Sequence, residues 1–113
     1  MNILLISIQN DLDVIGLRYL HYSLLKDDYS SFLLHLPNFN PEHAHSFENI
    51  RKFVLKIDPV FIGVSLMSVE YHNARVLTMY LKNNFRSIPV IWGGIHPTIC
   101  PEKCLDYADY VCV

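Results

Sequence analysis

Short apolar runs alternate along the chain with longer segments in which apolar residues recur every three or four positions. Continuous apolar runs are typical of strands buried on both faces of a sheet, and the longer spacing is typical of amphipathic helices. The runs predict five strands, at residues 3–6, 31–36, 60–65, 90–92 and 110–113. The segments between them predict the helices.

Helical spacing occupies three of those segments. Their apolar stripes run through Leu17, Leu20, Leu24 and Leu25, through Phe47, Ile50, Phe53, Val54 and Ile57, and through Ala74, Leu77, Met79, Tyr80, Leu81 and Phe85. We expect Asp13 to cap the first helix and Asp58 to end the second, because a residue before proline disfavours the α region. A shorter helix is predicted at 100–107, with Pro101 in its first turn.

The alternation of strand and helix, with short connections, predicts a parallel sheet that has helices on both faces. Five strands favour the flavodoxin-like (Rossmann-like) doubly wound α/β fold, with strand order 2-1-3-4-5. In that order the carboxyl ends of the first, third and fourth strands meet at one edge of the sheet. Open α/β sheets bind their ligands at this edge.

Small residues are concentrated in the three loops that meet there, at 7–16, 65–70 and 93–98. Gly93 and Gly94 end the fourth strand, where the backbone can turn sharply and approach a bulky ligand without a Cβ atom in between. Gly63 and Ser65 flank the end of the third strand. These residues predict a broad, shallow site with room for a large, flat ligand.

Composition excludes several other classes of function. The 113 residues are enough for one domain, and half of them are apolar. A net charge of -2 gives no electrostatic reason to expect nucleic acid or an anionic membrane. No apolar run is long enough to cross a bilayer, no leader opens the chain, and three cysteines cannot all pair within it. We therefore expect a cytoplasmic location.

Three short motifs lie at the predicted edge: Asp11 to Gly16 (DLDVIG), Ser65 to Met67 (SLM) and Gly93-Gly94. They resemble the motifs of cobalamin-binding domains of the methionine synthase and mutase type. Those domains carry Asp-x-His-x-x-Gly after the first strand, Ser-x-Leu after the third and Gly-Gly after the fourth. In this chain Asp13 stands in the histidine position, and Met67 stands in the leucine position.

The stretch from Trp92 to Thr98 (WGGIHPT), followed by Pro101-Glu102 and by Ala108 to Val111 (ADYV), extends the likeness. It is similar to the N-terminal domain of cobalamin-dependent radical S-adenosylmethionine enzymes, the group that includes the anaerobic Mg-protoporphyrin IX monomethyl ester oxidative cyclase. The resemblance covers essentially the whole chain. In that family a Gly-Glu-Gly-Glu turn follows the fifth strand, and this chain stops at Val113, just short of it. We therefore expect residues 1–113 to be a cobalamin-binding-like domain truncated from a longer radical S-adenosylmethionine protein.

The resemblance implies a module that presents cobalamin to a downstream radical domain, for chemistry of the methyl transfer or oxidative cyclisation type. It places the 4Fe-4S cluster and S-adenosylmethionine only in that missing domain, and no catalytic residue in this one. Asp13 is a hard oxygen donor and a poor cobalt ligand. The radical enzymes hold the cofactor base-off without the histidine, so the same state is expected for this chain. The lower face of the corrin would then be open, or approached by a residue of the first or third loop.

The cofactor contacts expected from this resemblance and from the predicted edge are Asp11, Asp13, Gly16, Ser65, Met67, Ser68, Gly93, Gly94, His96, Pro97 and Thr98. No metal ligand is expected among them. His96 either touches the ligand or only bonds nearby backbone in a loop that contains two prolines. His43 and His45 have a spacing found in metal sites, but no third ligand lies nearby, so a solvated loop is favoured. Cys100 and Cys104 favour a structural role, because a cluster site needs a C-x-x-x-C-x-x-C motif.

Two alternatives share the predicted topology. A receiver domain would use Asp11 and Asp13 as its acidic cluster, but it needs an aspartate at the end of the third strand, which closes on Ser65 in this chain. A flavodoxin-like electron carrier needs a phosphate-binding loop after the first strand, and residues 7–10 (SIQN) match one poorly. A fifth strand truncated at Val113 would leave unpaired backbone groups at the edge of the sheet. We therefore expect the fragment to self-associate through that edge, or through the surface that the absent domain would cover.

Overall fold

The computed structural model of the chain describes residues 2–8, 15–26, 29–36, 44–65, 71–93 and 101–111. Strands and helices alternate through these residues as the sequence pattern predicts. In chain order they are β1 (Asn2–Ser7), α1 (Ile15–Lys26), β2 (Ser30–His35), α2 (Ala44–Ile57), β3 (Phe61–Ser65), α3 (Tyr71–Asn84), β4 (Val90–Gly93), α4 (Pro101–Cys104) and β5 (Tyr110–Val111).

The five strands form one parallel sheet in the order β2-β1-β3-β4-β5, which confirms the predicted flavodoxin-like α/β architecture. One row of residues in register crosses all five strands: Leu34, Ile6, Val64, Trp92 and Val111. Since all strands run the same way, β1, β3 and β4 end side by side at the carboxyl edge. This is the arrangement that the sequence pattern predicts.

Most of the core lies between the sheet and one layer of helices, α2 and α3, and is closed at one side by α4. Its fully or nearly buried side chains are Leu4, Ile6, Ile8, Ile50, Val54, Ile57, Ile62, Val64, Ala74, Leu77, Leu81, Val90, Trp92, Cys104 and Ala108. A smaller cluster centred on Ile3 and Leu5 lies on the opposite face, because successive strand residues point to opposite sides. Leu24 of α1 packs against this second cluster. Helices therefore cover both faces, as predicted.

The end of α2 shows how local chemistry ends a helix. Asp58 has a φ of 51°, in the left-handed region that aspartate tolerates better than most residues. Its backbone N–H donates to the carbonyl of Val54 at 2.8 Å, which closes the last turn. Pro59 follows and cannot continue the helix. The predicted boundary at Asp58 is confirmed.

Three predicted core positions are instead exposed. Leu20 and Leu25 of α1 keep 46% and 45% of their surface, and Met79 of α3 keeps 51%. Helix α1 packs mainly against β1 and β2, at one side of the sheet, so Leu20 and Leu25 are left partly uncovered. Met79 comes two positions after the fully buried Leu77, which places it about 200° around the helix on the far side.

Across the part of the chain that the structure describes, no helix is long and apolar enough to cross a membrane.

Candidate functional site

A row of small residues crosses the carboxyl edge of the sheet. Ser7 at the end of β1 is in register with Ser65 of β3, and Ser65 is in register with Gly93 of β4. Residues in register on parallel strands about 4.8 Å apart project to the same face, so the row spans about 10 Å. Ser7 is buried, whereas Ser65 and Gly93 are half-buried. The edge therefore carries one half-buried hydroxyl group, that of Ser65, and a stretch of backbone without large side chains.

The next row inward on the same face of the sheet explains Gly63 by packing rather than by space for a ligand. Gly63 lies in register between Leu5 and Ile91. A Cβ atom at this position would lie 2.9 Å from Cδ2 of Leu5, so the leucine side chain uses the room that the glycine leaves. The expectation that Gly63 makes room for a flat ligand therefore has a competing structural explanation.

Trp92 is held in the core next to the glycine that follows it. Its side chain is fully buried, and its indole N–H donates to the hydroxyl of Thr78, also buried, at 2.8 Å. A buried indole N–H needs such a partner, and in this fold α3 supplies it. Since successive strand residues alternate between faces, Trp92 points toward α3, and Gly93 belongs to the other face. Trp92 therefore fixes the position of β4 just before the predicted ligand loop.

Two tyrosines complete an aromatic cluster around Trp92. Tyr71 meets the indole edge-on, with ring centroids 6.1 Å apart, and Tyr107 stacks nearly parallel to it at 6.2 Å. The two tyrosine rings meet each other at 6.3 Å in an edge-on arrangement. The Arg75 guanidinium lies over the Tyr107 ring, 5.7 Å from its centroid. We call Tyr71, Trp92 and Tyr107 the aromatic cluster.

The sequence interpretation missed this cluster, although a helical signal for it exists. Tyr71, Arg75, Thr78 and Lys82 are three or four positions apart and so share one side of α3. Each of them contacts β4 or the segment 104–109: Tyr71 and Arg75 contact Tyr107, Thr78 contacts Trp92, and Lys82 contacts Asp109. The apolar stripe of α3 alone does not reveal this second, mixed stripe.

Burial, neighbouring charges and hydrogen bonds shift the pKa values of two side chains near β4, Tyr71 and Asp109. Burial raises the pKa of the Tyr71 phenol, with further raising by Tyr107 and Cys104, and Arg75 opposes the shift. Burial also acts to raise the pKa of Asp109, but its hydrogen bonds with Lys82 and Val90 outweigh burial and lower it. The Val90 N–H donates to Oδ2 of Asp109 at 2.8 Å. Tyr71 is therefore a neutral phenol at neutral pH, and Asp109 is a carboxylate.

The structure describes three of the predicted contact residues. Ser65 and Gly93 lie together at the carboxyl edge, and Gly16 is the second residue of α1. Eight others lie outside the described residues: Asp11, Asp13, Met67, Ser68, Gly94, His96, Pro97 and Thr98. His43 and Cys100 also lie outside, while Cys104 is buried in the main core. Among the described residues, no group of three or more His, Cys, Asp or Glu side chains could hold a metal ion.

Comparison with known proteins gives the family. The model of the B12 binding domain matches residues 1–113. The chain belongs to the B12-binding domain family. This membership supports cobalamin as the ligand of the domain, in preference to the receiver-like and flavodoxin-like alternatives.

A solved structure gives independent support for the fold of this B12-binding domain. The structure titled "Crystal Structure of TesA" superposes with a TM-score of 0.51 and 13% sequence identity, over 93% of this chain and 68% of that chain. At this identity the likeness shows the fold alone. No curated protein sequence matches the chain.

Proposed function

We propose that this B12-binding domain holds cobalamin across the carboxyl edge of β1, β3 and β4 and presents it to a radical S-adenosylmethionine domain further along the same parent protein. The observation that carries the proposal is the in-register row of Ser7, Ser65 and Gly93, in a chain matched over all its residues by the B12 binding domain model. An edge of small residues fits a wide ligand whose rim carries amide groups.

The described residues fit the ligand in specific ways. The hydroxyl of Ser65 can donate or accept a hydrogen bond at the edge, and Gly93 lets the backbone approach a ring closely. Trp92 turns its bulk into the core and leaves the edge clear. The remaining proposed contacts come from the adjoining loops and from the start of α1: Asp11, Asp13, Gly16, Met67, Ser68, Gly94, His96, Pro97 and Thr98.

The state of the cofactor and the partner domain are inferred from the sequence resemblance. Asp13 in place of histidine supports a base-off cofactor without a protein nitrogen on the cobalt. The WGGIHPT stretch supports the radical branch of the family, with the 4Fe-4S cluster and S-adenosylmethionine held by the downstream domain in the cytoplasm. When bound, cobalamin supplies a cobalt centre able to carry a methyl group or to take part in radical steps. This domain binds and orients the cofactor, and the reaction belongs to the parent protein.

Titration of hydroxocobalamin into the purified domain, followed by the visible spectrum, tests the proposal. The wild-type domain should give a saturable shift to a base-off spectrum. Gly93→Val places a branched side chain on the edge and should weaken binding about tenfold or more. Ser30→Val adds the same branched group at an exposed position near the opposite, amino edge, and should leave binding unchanged. No spectral shift in the wild type, or equal affinity for all three proteins, would overturn the proposal.

A further inference from the structure

The aromatic cluster lies beside the carboxyl edge of the sheet, next to Gly93. Tyr71 is the first residue of α3, directly after residues 66–70. Trp92 precedes Gly93, the last residue of β4, and residues 94–100 follow it. Tyr107 lies just after α4. Contact among the three rings therefore joins the start of α3 and the segment after α4 to β4, one residue before Gly93.

The segment that carries Tyr107 is itself fixed against both ends of β4. Tyr107 stacks on Trp92 near the carboxyl end of the strand. At the amino end, Asp109 accepts a hydrogen bond from Val90 N–H, and its own N–H donates to the Val90 carbonyl at 2.9 Å. Lys82 of α3 pairs with the same carboxylate. The segment 104–109 therefore cannot shift along β4 without breaking contacts at both ends.

From this geometry we propose that Tyr71 and Tyr107 are positioning residues for cobalamin, which hold Trp92, and through it Gly93 of β4, in place at the carboxyl edge. The proposal rests on the proposed binding of cobalamin at this edge. A binding edge whose backbone is already held in place loses less conformational entropy when the ligand binds, so the same contacts give higher affinity. Neither tyrosine is placed in contact with the cofactor itself.

Ordinary core packing does not explain the cluster fully. Leu77 and Leu81 already anchor α3 to the sheet, and both are almost completely buried. Tyr71 and Tyr107 are only half-buried and meet at the edge of the core. Aromatic contacts are directional, so three rings that touch one another specify a relative position more narrowly than aliphatic side chains do.

The same helix offers a matched control. Tyr80 is also half-buried, packs against the main core and touches the aromatic ring of Phe47, with centroids 4.6 Å apart. It lies nine positions after Tyr71 and therefore about 14 Å further along α3, away from the carboxyl edge. Tyr71→Leu and Tyr80→Leu each remove one tyrosine from an aromatic contact, but only the first of these contacts is with Trp92.

We would measure the urea unfolding midpoint, the Kd for hydroxocobalamin, and the visible circular dichroism of the bound corrin, which reports its orientation. Tyr71→Leu should raise Kd about tenfold and change the dichroism, because two ring contacts are lost. Tyr71→Phe keeps both rings in contact and should restore Kd to within about twofold of wild type. Tyr80→Leu should lower the urea midpoint but leave the Kd and the dichroism of the folded protein unchanged.

The outcomes separate this inference from the proposed function. If the wild-type domain binds cobalamin and Tyr71→Leu matches Tyr80→Leu in affinity and dichroism, Tyr71 is structural and the positioning role is wrong. If Tyr71→Phe fails to restore binding, the hydroxyl rather than the ring contact is required, and the proposal is equally wrong. A wild-type domain that binds no cobalamin overturns the proposed function and, with it, this inference.

Discussion

At the scale of single residues, Asp13 determines which cobalt ligation we expect. Electron paramagnetic resonance of the bound Co(II) form should show no splitting from a protein nitrogen, because an aspartate oxygen is a poor ligand for this metal and histidine is absent from that position. His96→Ala and His72→Ala should each leave the signal unchanged. His72 already accepts a hydrogen bond at Nδ1 from Arg75, at 3.0 Å.

If the spectrum does show nitrogen splitting, the same experiment can identify the nitrogen that causes it. Isotope labelling of the nitrogen in the cofactor's own base would recognise splitting that comes from the cofactor. Loss of the splitting in His96→Ala would instead show that a histidine binds the cobalt. The base-off, histidine-free proposal would then be wrong.

The Trp92–Thr78 hydrogen bond leads to a second prediction for single residues. Trp92→Phe leaves a buried hydroxyl without its donor and opens a cavity, so it should lower the free energy of unfolding by about 2–4 kcal/mol. Thr78→Val leaves the indole N–H unpaired and should cost about 1–3 kcal/mol. Urea denaturation of both single variants and the double variant measures the coupling.

In this double-mutant cycle, the double variant should lose less free energy of unfolding than the two single variants lose together, since neither partner of the hydrogen bond is left unpaired in it. Strict additivity would show that the hydrogen bond does not couple the two side chains. Ser30→Val, at an exposed position on β2, serves as the control for a generic surface change.

At the scale of elements, Asp109 connects the start of β5 to the start of β4 and to α3. Its folded pKa is lowered from the ordinary value of 3.8, so its stabilising effect is present above that pH and is lost as the pH falls through the lower folded value. About a third of the side chain is exposed, which screens the Lys82 interaction. Asp109→Asn should therefore cost only about 1 kcal/mol at pH 7.

Chemical denaturation at several pH values tests this connection. The difference between wild type and Asp109→Asn should shrink below pH 3.8 as the wild-type carboxylate is protonated. Glu48→Gln is the comparison, because the Glu48–Lys52 pair spans 3.7 Å with both side chains mostly exposed. That change should stay within about 0.5 kcal/mol at every pH. A pH-independent penalty for Asp109→Asn would show that its charge is not involved.

The order of strands and helices was predictable because each of them is marked by a sequence pattern within its own residues. An apolar run such as Ile3 to Ile6 fits a central parallel strand, and Asp58 before Pro59 ends a helix within its own neighbourhood. The extent of burial was less predictable. Leu20 and Leu25 have helical spacing, but that spacing does not say how much of the sheet lies opposite α1.

The site was predictable only where the topology determines it. Once the strand order is known, Ser65 and Gly93 must meet at one edge. The Tyr71–Tyr107 contact joins residues 36 positions apart. The helical spacing of α3 marks the side of the helix that carries Tyr71, but no local pattern identifies Tyr107 as its partner. Gly63 shows the opposite case. Its place near the end of a strand suggested room for a ligand, but the Leu5 side chain packed beside it is an alternative reason for a glycine there.

At the scale of the whole molecule, cofactor binding should raise the free energy of unfolding of the domain. A ligand that binds only the folded state adds about 2.7 kcal/mol to the free energy of unfolding at a free concentration of about 100 times Kd. Thermal unfolding with increasing hydroxocobalamin should therefore move to higher temperature for the wild type. Under the same conditions Gly93→Val should show a much smaller shift. A shift of the same size in Gly93→Val would place the ligand away from the carboxyl edge.

The single tryptophan of the chain is also a built-in optical probe of one corner of the fold. Trp92 is fully buried, in contact with two tyrosine rings and one residue before Gly93, so its fluorescence reports this corner and no other. Its emission should lie at short wavelength in the folded state and move to longer wavelength when water reaches the indole. A red shift that precedes the loss of helical circular dichroism would show that the corner beside the carboxyl edge opens before the rest of the domain unfolds.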